Sequence, residues 1–383
     1  MPNFSGVWNL KEQIQAIAAG RWTGVTLYEL YGWGLNNFGQ LGQNDASVSR
    51  SSPTQVGSLT TWEEVSAGRS FTAAKKTDGT IWTWGSSDSG QLGDNTVVSK
   101  SSPIQVGTLT SWSQISAGGY FCLGVQNNNT VWSWGVNTAG LLGLGDVLAR
   151  SSPVQVGALT NWAQASAAVH SLAIKTDGTL WAWGNNTSGR LGLNNDVNYS
   201  SPVQVGALTN WSFVQAASGD CTFAVKTDGT LWAWGNNGNG RLGDGTVVNT
   251  SSPVQIGALT TWSKVGRGED GSVAIKTDGT LWTWGRNTAG QLGQNNTIDT
   301  SSPVQVGALT DWFNADRGNA HCIATRTNGT LWSWGTNSDG ALGDGTVVNV
   351  SSPIQIGAVT SWTNVSAAQS KNRSFAIEEN TVS

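Results

Sequence analysis

Residues 277–285 read Thr-Asp-Gly-Thr-Leu-Trp-Thr-Trp-Gly. The Asp-Gly pair stands between two short apolar runs, residues 272–276 and 281–284. An Asp-Gly pair in this position predicts a β-hairpin with a type I′ turn, because that turn needs residues that accept a positive φ. The stretch therefore predicts two adjacent antiparallel strands, and close copies of it recur along the chain.

Three tryptophan positions repeat with the same period of 49–51 residues, and together they hold 20 of the 22 tryptophans. The Trp-Gly pairs begin at Trp33, Trp84, Trp134, Trp183, Trp234, Trp284 and Trp334. A second series comprises Trp62, Trp112, Trp162, Trp211, Trp262, Trp312 and Trp362. The third comprises Trp82, Trp132, Trp181, Trp232, Trp282 and Trp332, with Tyr31 in the first copy. A Ser-Ser-Pro tripeptide recurs with the same period, so the chain consists of seven copies of one repeat unit.

Each unit reads as about four short strands, and none carries a convincing helical period. Such a unit is too small to bury its own faces, so seven must pack side by side. The first unit supplies only a fourth-strand segment near residues 30–34, and the last stops after a third strand at 374–377. We therefore predict an all-β, seven-bladed β-propeller of four-stranded blades, with its ring closed by both termini. Residues 1–20 would form an amino-terminal arm and 21–383 the propeller.

Residues 318–343 contain His321, the Trp334-Gly335 pair and a closing Gly-Ala-Leu-Gly loop. This pattern resembles the regulator-of-chromosome-condensation repeat, and it recurs in seven copies over roughly residues 20–383. The resemblance implies a seven-bladed propeller. It implies no single function, since members include a nucleotide-exchange factor, a plant ultraviolet-B photoreceptor and a secreted β-lactamase inhibitor. The even spacing of the units leaves no room for the inserted wedge that the exchange factor carries, and the photoreceptor's Gly-Trp-Arg-His-Thr motif is absent. Binding of another protein to a rigid face, as in the inhibitor, remains an alternative.

The chemistry of the chain points away from catalysis. Charged residues make up 11% and the net charge is −4, without a Lys/Arg run, which argues against nucleic acid as a partner. No apolar run reaches the length of a membrane span. His170 and His321 fill a position that other units fill with Phe, Cys or Gly, which predicts structural hydrogen bonds. We expect no enzyme, cofactor or metal, and we expect Cys122, Cys221 and Cys322 to be small buried residues.

The units differ most in the loop before the third strand, and in a propeller these loops share one face around the central channel. We expect a partner-binding face there. The alternative is that these solvent-exposed loops vary in sequence without a function. The candidate residues are Arg69, Tyr120, Asp220, Arg267, Glu269, Asp270, Asp316, Arg317, Lys371 and Arg373. A second divergent position holds Arg50, Lys100 and Arg150 on consecutive blades, which predicts a basic sector.

The amino-terminal arm has apolar residues at helical spacing, and we expect it to dock on a partner or on a like subunit. The alternative is a helix or strand lying over its own ring. The candidate docking residues are Phe4, Trp8, Leu10, Ile14 and Trp22. The arm resembles the start of virion structural proteins of marine bacteriophages, which implies a virion location with other virion proteins or a host surface receptor as partners.

Two functions of different class follow. The first is a non-catalytic structural or protein-binding propeller, as a decoration, tail or host-recognition component of a bacteriophage virion. The alternative is a cytosolic or secreted regulator or inhibitor that grips a protein partner through one propeller face. Neither function requires a cofactor, nucleic acid or a membrane span.

Overall fold

Seven four-stranded antiparallel sheets make up the chain in a computed structural model that describes residues 25–369 and 371–382. The first strand of each sheet contacts the first strand of the next, and the seventh contacts the first, so the sheets form a closed ring. The all-β, seven-bladed propeller is confirmed. The docking residues expected in the arm, Phe4 to Trp22, lie outside the described residues.

Blades 1 to 6 follow the chain, and blade 7 combines strands from both ends of the described chain. The blades are shifted by one strand from the sequence units, because the Ser-Ser-Pro run that was expected to open a unit is the fourth strand of the preceding blade. The divergent loops expected before the third strand of a unit therefore lie between the first and second strands of a blade. The first strands are β3 (Trp62–Ala67), β7 (Trp112–Ala117), β11 (Trp162–Ala167), β15 (Trp211–Ala217), β19 (Trp262–Gly266), β23 (Trp312–Arg317) and β27 (Trp362–Ala367). The second strands are β4 (Phe71–Lys76), β8 (Phe121–Gln126), β12 (His170–Lys175), β16 (Cys221–Lys226), β20 (Gly271–Lys276), β24 (His321–Arg326) and β28 (Arg373–Val382). The third strands are β5 (Ile81–Gly85), β9 (Val131–Gly135), β13 (Leu180–Gly184), β17 (Leu231–Gly235), β21 (Leu281–Gly285), β25 (Leu331–Gly335) and, in blade 7, β1 (Val25–Gly34). The fourth strands are β6 (Lys100–Gln105), β10 (Arg150–Gln155), β14 (Tyr199–Gln204), β18 (Thr250–Gln255), β22 (Thr300–Gln305), β26 (Val350–Gln355) and, in blade 7, β2 (Arg50–Gln55). Three 3-10 turns, at Thr138–Gly140, Thr187–Gly189 and Gly238–Gly240, are the only helical segments in the described ranges.

Blade 7 closes the ring with strands from both ends of the described chain. Its order is β2-β1-β28-β27, and β1 pairs with β28 along its whole length, from Val25 opposite Val382 to Gly34 opposite Arg373. In each of the other six blades a short turn joins the second and third strands. In blade 7 the ladder between β28 and β1 continues beyond the level of those turns. The backbone N–H of Tyr28 also donates to Thr60 O at 2.8 Å, which ties the ladder to blade 1.

The apolar core lies between neighbouring blades. The cluster between blades 2 and 3 joins Phe121 and Leu123 of β8 to Trp162 of β11 and Trp183 of β13. Within a blade the indoles meet edge to face, as between Trp62 and Trp84 at 5.9 Å between ring centres. The tryptophans of the Trp-Gly series and of the first strands are buried and fill the space between two sheets, so they are structural. Those of the third series are half-buried and pack against the same clusters, as Trp181 does between blades 2 and 3.

The fourth strands form the outer edges of the sheets, and each contains the proline of a Ser-Ser-Pro tripeptide. Proline lacks an N–H donor, so within sheets it is tolerated on an edge strand, where it also hinders pairing with another chain. The period of proline thus follows from the position of the edge.

The hairpins expected at the Asp-Gly pairs form, but the expected type I′ turn is wrong. Between β4 and β5 the turn comprises the three residues 77–79, which lie between Lys76 and Thr80. Gly79 N donates to Lys76 O at 2.9 Å, and Lys76 N donates to Thr80 O at 3.0 Å. Only Gly79 has a positive φ, of +74°, as in a type I turn closed by a glycine bulge. Asp78 instead accepts hydrogen bonds from Thr80 through Oδ1, from its N–H at 2.9 Å and its hydroxyl at 2.6 Å.

Candidate protein-binding face

The divergent loops lie together because of strand direction. In every blade the first strand ends and the second begins at the same end of the sheet, and the third ends and the fourth begins there too. We call this end of the ring the loop face, and we call the opposite end, which carries the Asp-Gly hairpins, the turn face. All ten candidate partner-binding residues lie in or beside the loops of the loop face.

Arg69 and Tyr120 are the most exposed of the ten candidates. They lie on the adjacent loops of blades 1 and 2, and Arg69 N donates to Gly119 O at 3.2 Å. Arg69 Cζ is 5.5 Å from the centre of the Tyr120 ring, and Tyr120 is 38% exposed. An arginine beside an exposed tyrosine combines the two residue types that dominate many protein interfaces.

Asp220, Glu269, Asp270 and Lys371 are half-buried on the same face. Asp220 pairs with Arg190 at 2.8 Å. Asp270 pairs with both Arg241 and Arg286 at 3.0 Å.

Sequence reasoning missed Arg190 and Arg241, although a signal was present. Each replaces, in the Gly-Arg-Leu-Gly loop, the Gln, Leu or Ala of the other units. Their side chains cross a blade boundary, Arg190 from blade 3 to Asp220 in blade 4, and Arg241 from blade 4 to Asp270 in blade 5.

Arg317 and Arg373 are buried, so a partner on the loop face does not meet their side chains. Arg317 fills the space left by Gly271, where a Cβ would lie 2.7 Å from Arg317 Nη1. Arg373 reaches from blade 7 to blade 1 and donates through Nη2 to Gly68 O at 2.6 Å and Phe71 O at 2.8 Å. Burial lowers the pKa of Arg373 to about 9. Both arginines hold neighbouring blades together.

Arg267 and Asp316 are also buried, at the level of the first strands. Arg267 crosses from blade 5 to the opposite side, where Nη1 donates to Ala117 O and Nη2 to Ser66 Oγ, both at 3.1 Å. Asp316 accepts hydrogen bonds from Arg267 N at 2.9 Å and Ala367 N at 3.0 Å. Burial raises the pKa of Asp316 although Arg267 is close.

A second side chain crosses the channel, and sequence reasoning missed it. Gln369, in blade 7, donates through Nε2 to Ala117 O at 3.0 Å and to Ala167 O at 3.1 Å. Gln369 and Arg267 thus meet at the same carbonyl and span the channel at this level. The partner-binding face stays a prediction, and Arg69, Tyr120, Asp220, Glu269, Asp270 and Lys371 are its accessible members.

The expected basic sector is neutralised by the loops that precede it. Arg50 lies 2.7 Å from Asp45, and Arg150 lies 2.6 Å from Asp146. Lys100 lies 4.0 Å from a carboxylate of its own loop, Asp94. These cations therefore offer a partner little net charge.

Both histidines make structural hydrogen bonds to the next blade. His170 Nε2 lies 2.7 Å from Thr222 Oγ1, and His321 Nε2 lies 3.0 Å from Ser374 Oγ. Burial lowers the pKa of both rings, that of His321 to about 4. The three cysteines are buried and unbridged, and burial raises their pKa.

Within residues 25–369 and 371–382, no three His, Cys, Asp or Glu side chains converge in a way that could hold a metal ion. No helix in that part of the chain is long and apolar enough to cross a membrane.

The repeat, the blade order and the loop face define a propeller of the regulator-of-chromosome-condensation type. The family model described as RCC1-like domain matches residues 2–265, which is more than half of the chain. Models of the regulator of chromosome condensation (RCC1) repeat match residues 262–291, 278–325 and 328–370. The chain belongs to the RCC1-like family.

Solved structures share this fold at low sequence identity. Prp20p from Saccharomyces cerevisiae, described with its binding properties to Gsp1p and histones, is 19% identical with a TM-score of 0.81, covering 94% of this chain and 93% of that one. Yeast RCC1 (Prp20) bound to Kap60 is 19% identical with a TM-score of 0.82, covering 100% and 95%. Human WBSCR16 is 20% identical with a TM-score of 0.81, covering 93% and 100%. At these identities the likeness shows the fold alone.

One curated relative is similar over a short segment. The probable E3 ubiquitin-protein ligase HERC3 of Homo sapiens is 40% identical over 70 residues, which are 18% of this chain. The match spans 7% of the length of that relative. None of these families and relatives is described as a virion protein.

Proposed function

We propose that this chain is a non-enzymatic regulator that binds a protein partner through the loop face. The observation that carries the proposal is the contrast between a scaffold that repeats in every blade and loops that differ in every blade. Strand direction gathers these loops at one end of the ring, and a rigid scaffold that presents variable loops is a common arrangement for binding sites.

The exposed side chains of the loop face suit a protein partner. Arg69 and Tyr120 form a preformed pair, and Asp220 and Asp270 are held by arginines, so little side-chain freedom is lost on binding. The structurally similar yeast propeller described with Gsp1p and histones, and the one bound to Kap60, support protein binding as the use of this fold.

The test is affinity capture from a lysate of the source cells, with quantitative mass spectrometry of bound proteins. We expect Tyr120→Ala and Arg69→Ala to reduce recovery of the partner at least tenfold, because truncating an interface anchor costs about 2 kcal/mol or more. Phe313→Ala is the matched control, since Phe313 is an aromatic residue 49% exposed near the turn face.

Equal recovery with wild type and with Tyr120→Ala and Arg69→Ala would overturn the proposal for this face. Loss of the partner with Phe313→Ala alone would assign binding to the turn face instead. Localisation in the cytoplasm belongs to this proposal and is tested by fractionating the same cells.

The virion function is left without support from the comparisons and remains an untested prediction. Mass spectrometry of purified phage particles tests it, with residues 1–24 as the expected contact. Particles that lack the protein would remove this function.

A further inference from the structure

A ring of exposed apolar residues surrounds the loop face. In each unit, one or two large aliphatic residues precede the Ser-Ser-Pro strand and are 49–69% exposed. We call them the apolar rim, which comprises Val48, Val97, Val98, Val147, Leu148, Val197, Val247, Val248, Ile298, Val347 and Val348. Scattered exposed apolar residues are ordinary, but a set repeated at the same place in every unit is not.

The folding of these loops does not use the rim. The loop of blade 1 is held by Asp94 Oδ1, which accepts hydrogen bonds from Thr96 N at 3.0 Å and Thr96 Oγ1 at 2.8 Å. Among the described residues, no rim side chain belongs to the apolar clusters between the blades. The rim is therefore apolar surface without a structural role inside one ring.

The position of the rim is set by the strands that it joins. Each rim segment follows a third strand and leads into a fourth strand, which is the outer edge of its sheet. The rim consequently lies at the outer margin of the loop face, around the divergent loops. The usual interface has an apolar centre and a polar margin, and this face has the reverse arrangement.

We propose that the apolar rim is the contact surface for a second copy of this chain, with two rings meeting loop face to loop face. A surface repeated seven times about an axis is matched over its whole circumference by another surface of the same spacing. A second copy provides that match, and a two-fold dimer brings the same patch together from both sides.

The size and charge of the rim agree with this occupant. A standard interface uses about 20–30 residues from each partner, and seven loops that each contribute about three or four residues reach that number. In the loops that carry Val48, Val147 and Leu148, Asp45 pairs with Arg50 and Asp146 pairs with Arg150, so these parts of two rims can approach without strong repulsion. The net charge of −4 on 383 residues is also small.

The dimer would place the divergent loops of both copies inside the contact. A protein partner of the loop face would then compete with the second copy, so dimer formation would regulate partner binding. The inference goes beyond the proposed function, and the dimer can exist whether or not a partner does.

Analytical ultracentrifugation of the full chain tests the proposal over a range up to about 100 µM, well above a micromolar dissociation constant. We expect wild type to sediment with the mass of two chains. The combined variant Val97→Ser, Val98→Ser, Val147→Ser and Leu148→Ser should raise the dimer dissociation constant by about 100-fold or more, because eight buried aliphatic side chains are lost per dimer. These residues are exposed, so the variant should keep the circular dichroism spectrum and melting temperature of wild type.

The matched control is Leu109→Ser, Leu159→Ser and Leu259→Ser on the turn face, where these side chains are 40%, 46% and 47% exposed. It should leave the dimer unchanged. A wild type that stays monomeric over the whole range, or a dimer that survives in the rim variant, would overturn the proposal. The variants Arg69→Ala and Tyr120→Ala, which test the proposed partner face, should not abolish the dimer, so the two proposals fail separately.

Discussion

Glu64 shows how one residue in the channel departs from its equivalents. Glu64 Oε2, on β3, accepts a hydrogen bond from Ile115 N of the next blade at 3.2 Å. One blade further, Gln114 Oε1 accepts the same bond from Ala165 N at 3.0 Å. A neutral amide thus fills the role of the carboxylate without a change in geometry.

Burial raises the pKa of Glu64 from its ordinary value of 4.5 to about 7. The bond from Ile115 N and the charges of Lys75 and Arg267 act in the opposite direction, and the charge of Glu63 raises the pKa further. A raised pKa means that the folded state binds the proton more tightly than the unfolded chain does. The resulting stability is fully present below about pH 4.5 and is lost as the pH rises through 7.

Glu64→Gln should therefore remove this pH dependence. We expect the variant to match wild type near pH 4 and to exceed its free energy of unfolding by about 1–2 kcal/mol at pH 8, allowing for partial solvent access. The measurement is urea unfolding followed by tryptophan fluorescence between pH 4 and 8. The control is Glu63→Gln, whose carboxylate is half exposed beside Lys75 and should have a small effect at every pH. Parallel curves for wild type and Glu64→Gln would contradict the prediction.

At the scale of the element, the hairpin between β4 and β5 is fitted to the next blade. A Cβ on Gly79 would lie 2.3 Å from Thr110 O, which precedes β7, and Gly79 has φ +74°. Gly57 follows β2 with a similar φ of +63°, yet nothing lies within 4 Å of its hypothetical Cβ. Substitution of Gly57 therefore tests only the strain of a positive φ, whereas substitution of Gly79 tests that strain together with the steric contact between blades.

Gly57→Ala should lower the free energy of unfolding by about 1–2 kcal/mol, which is the strain of a side chain in this conformation. Gly79→Ala should lower it by about 2–4 kcal/mol, because the backbone of the next blade must also move. Urea unfolding of both variants gives the comparison. Equal losses would mean that the hairpin is not pressed against blade 2.

The elements were predictable from the sequence because each repeated residue has a local cause. Asp-Gly marked four of the hairpins, with Asn-Asn in blade 2 and Asn-Gly in blade 6 at the same position. Proline marked the outer edge, and tryptophan marked the space between sheets. The type I′ assignment failed because Asp78 and Gly79 alone do not show that Thr77 belongs to the loop. The burial of the arginines was harder to predict, because nothing in the sequence distinguishes the exposed Arg69 from the buried Arg373. For Arg317 the available signal was Gly271, which stands where the other units have a larger side chain. The space that this glycine leaves is occupied by Arg317.

At the scale of the whole molecule, the first strands are linked by side chains across blade boundaries. Ser66 Oγ accepts from Ala117 N at 2.9 Å, and Ser116 Oγ accepts from Ala167 N at 3.0 Å. Blade 5 has Gly266 in the corresponding position, so it cannot contribute this bond. Arg267 follows directly and reaches across the channel instead, to a residue 201 positions away in the chain. Periodicity compares equivalent positions, so it could not indicate a contact between opposite blades.

Arg267→Met should therefore loosen the ring on both sides of the channel. Loss of the guanidinium removes the donors to Ala117 O and Ser66 Oγ and leaves Asp316 buried without the cation whose charge lowers its pKa, which should cost about 3–5 kcal/mol. Hydrogen exchange measured by mass spectrometry should become faster in β3 and β7 as well as in β19. Arg286→Met is the control, because Arg286 is also in blade 5 but pairs with Asp270 at the surface. Faster exchange confined to blade 5 would show that Arg267 does not connect the two sides of the ring.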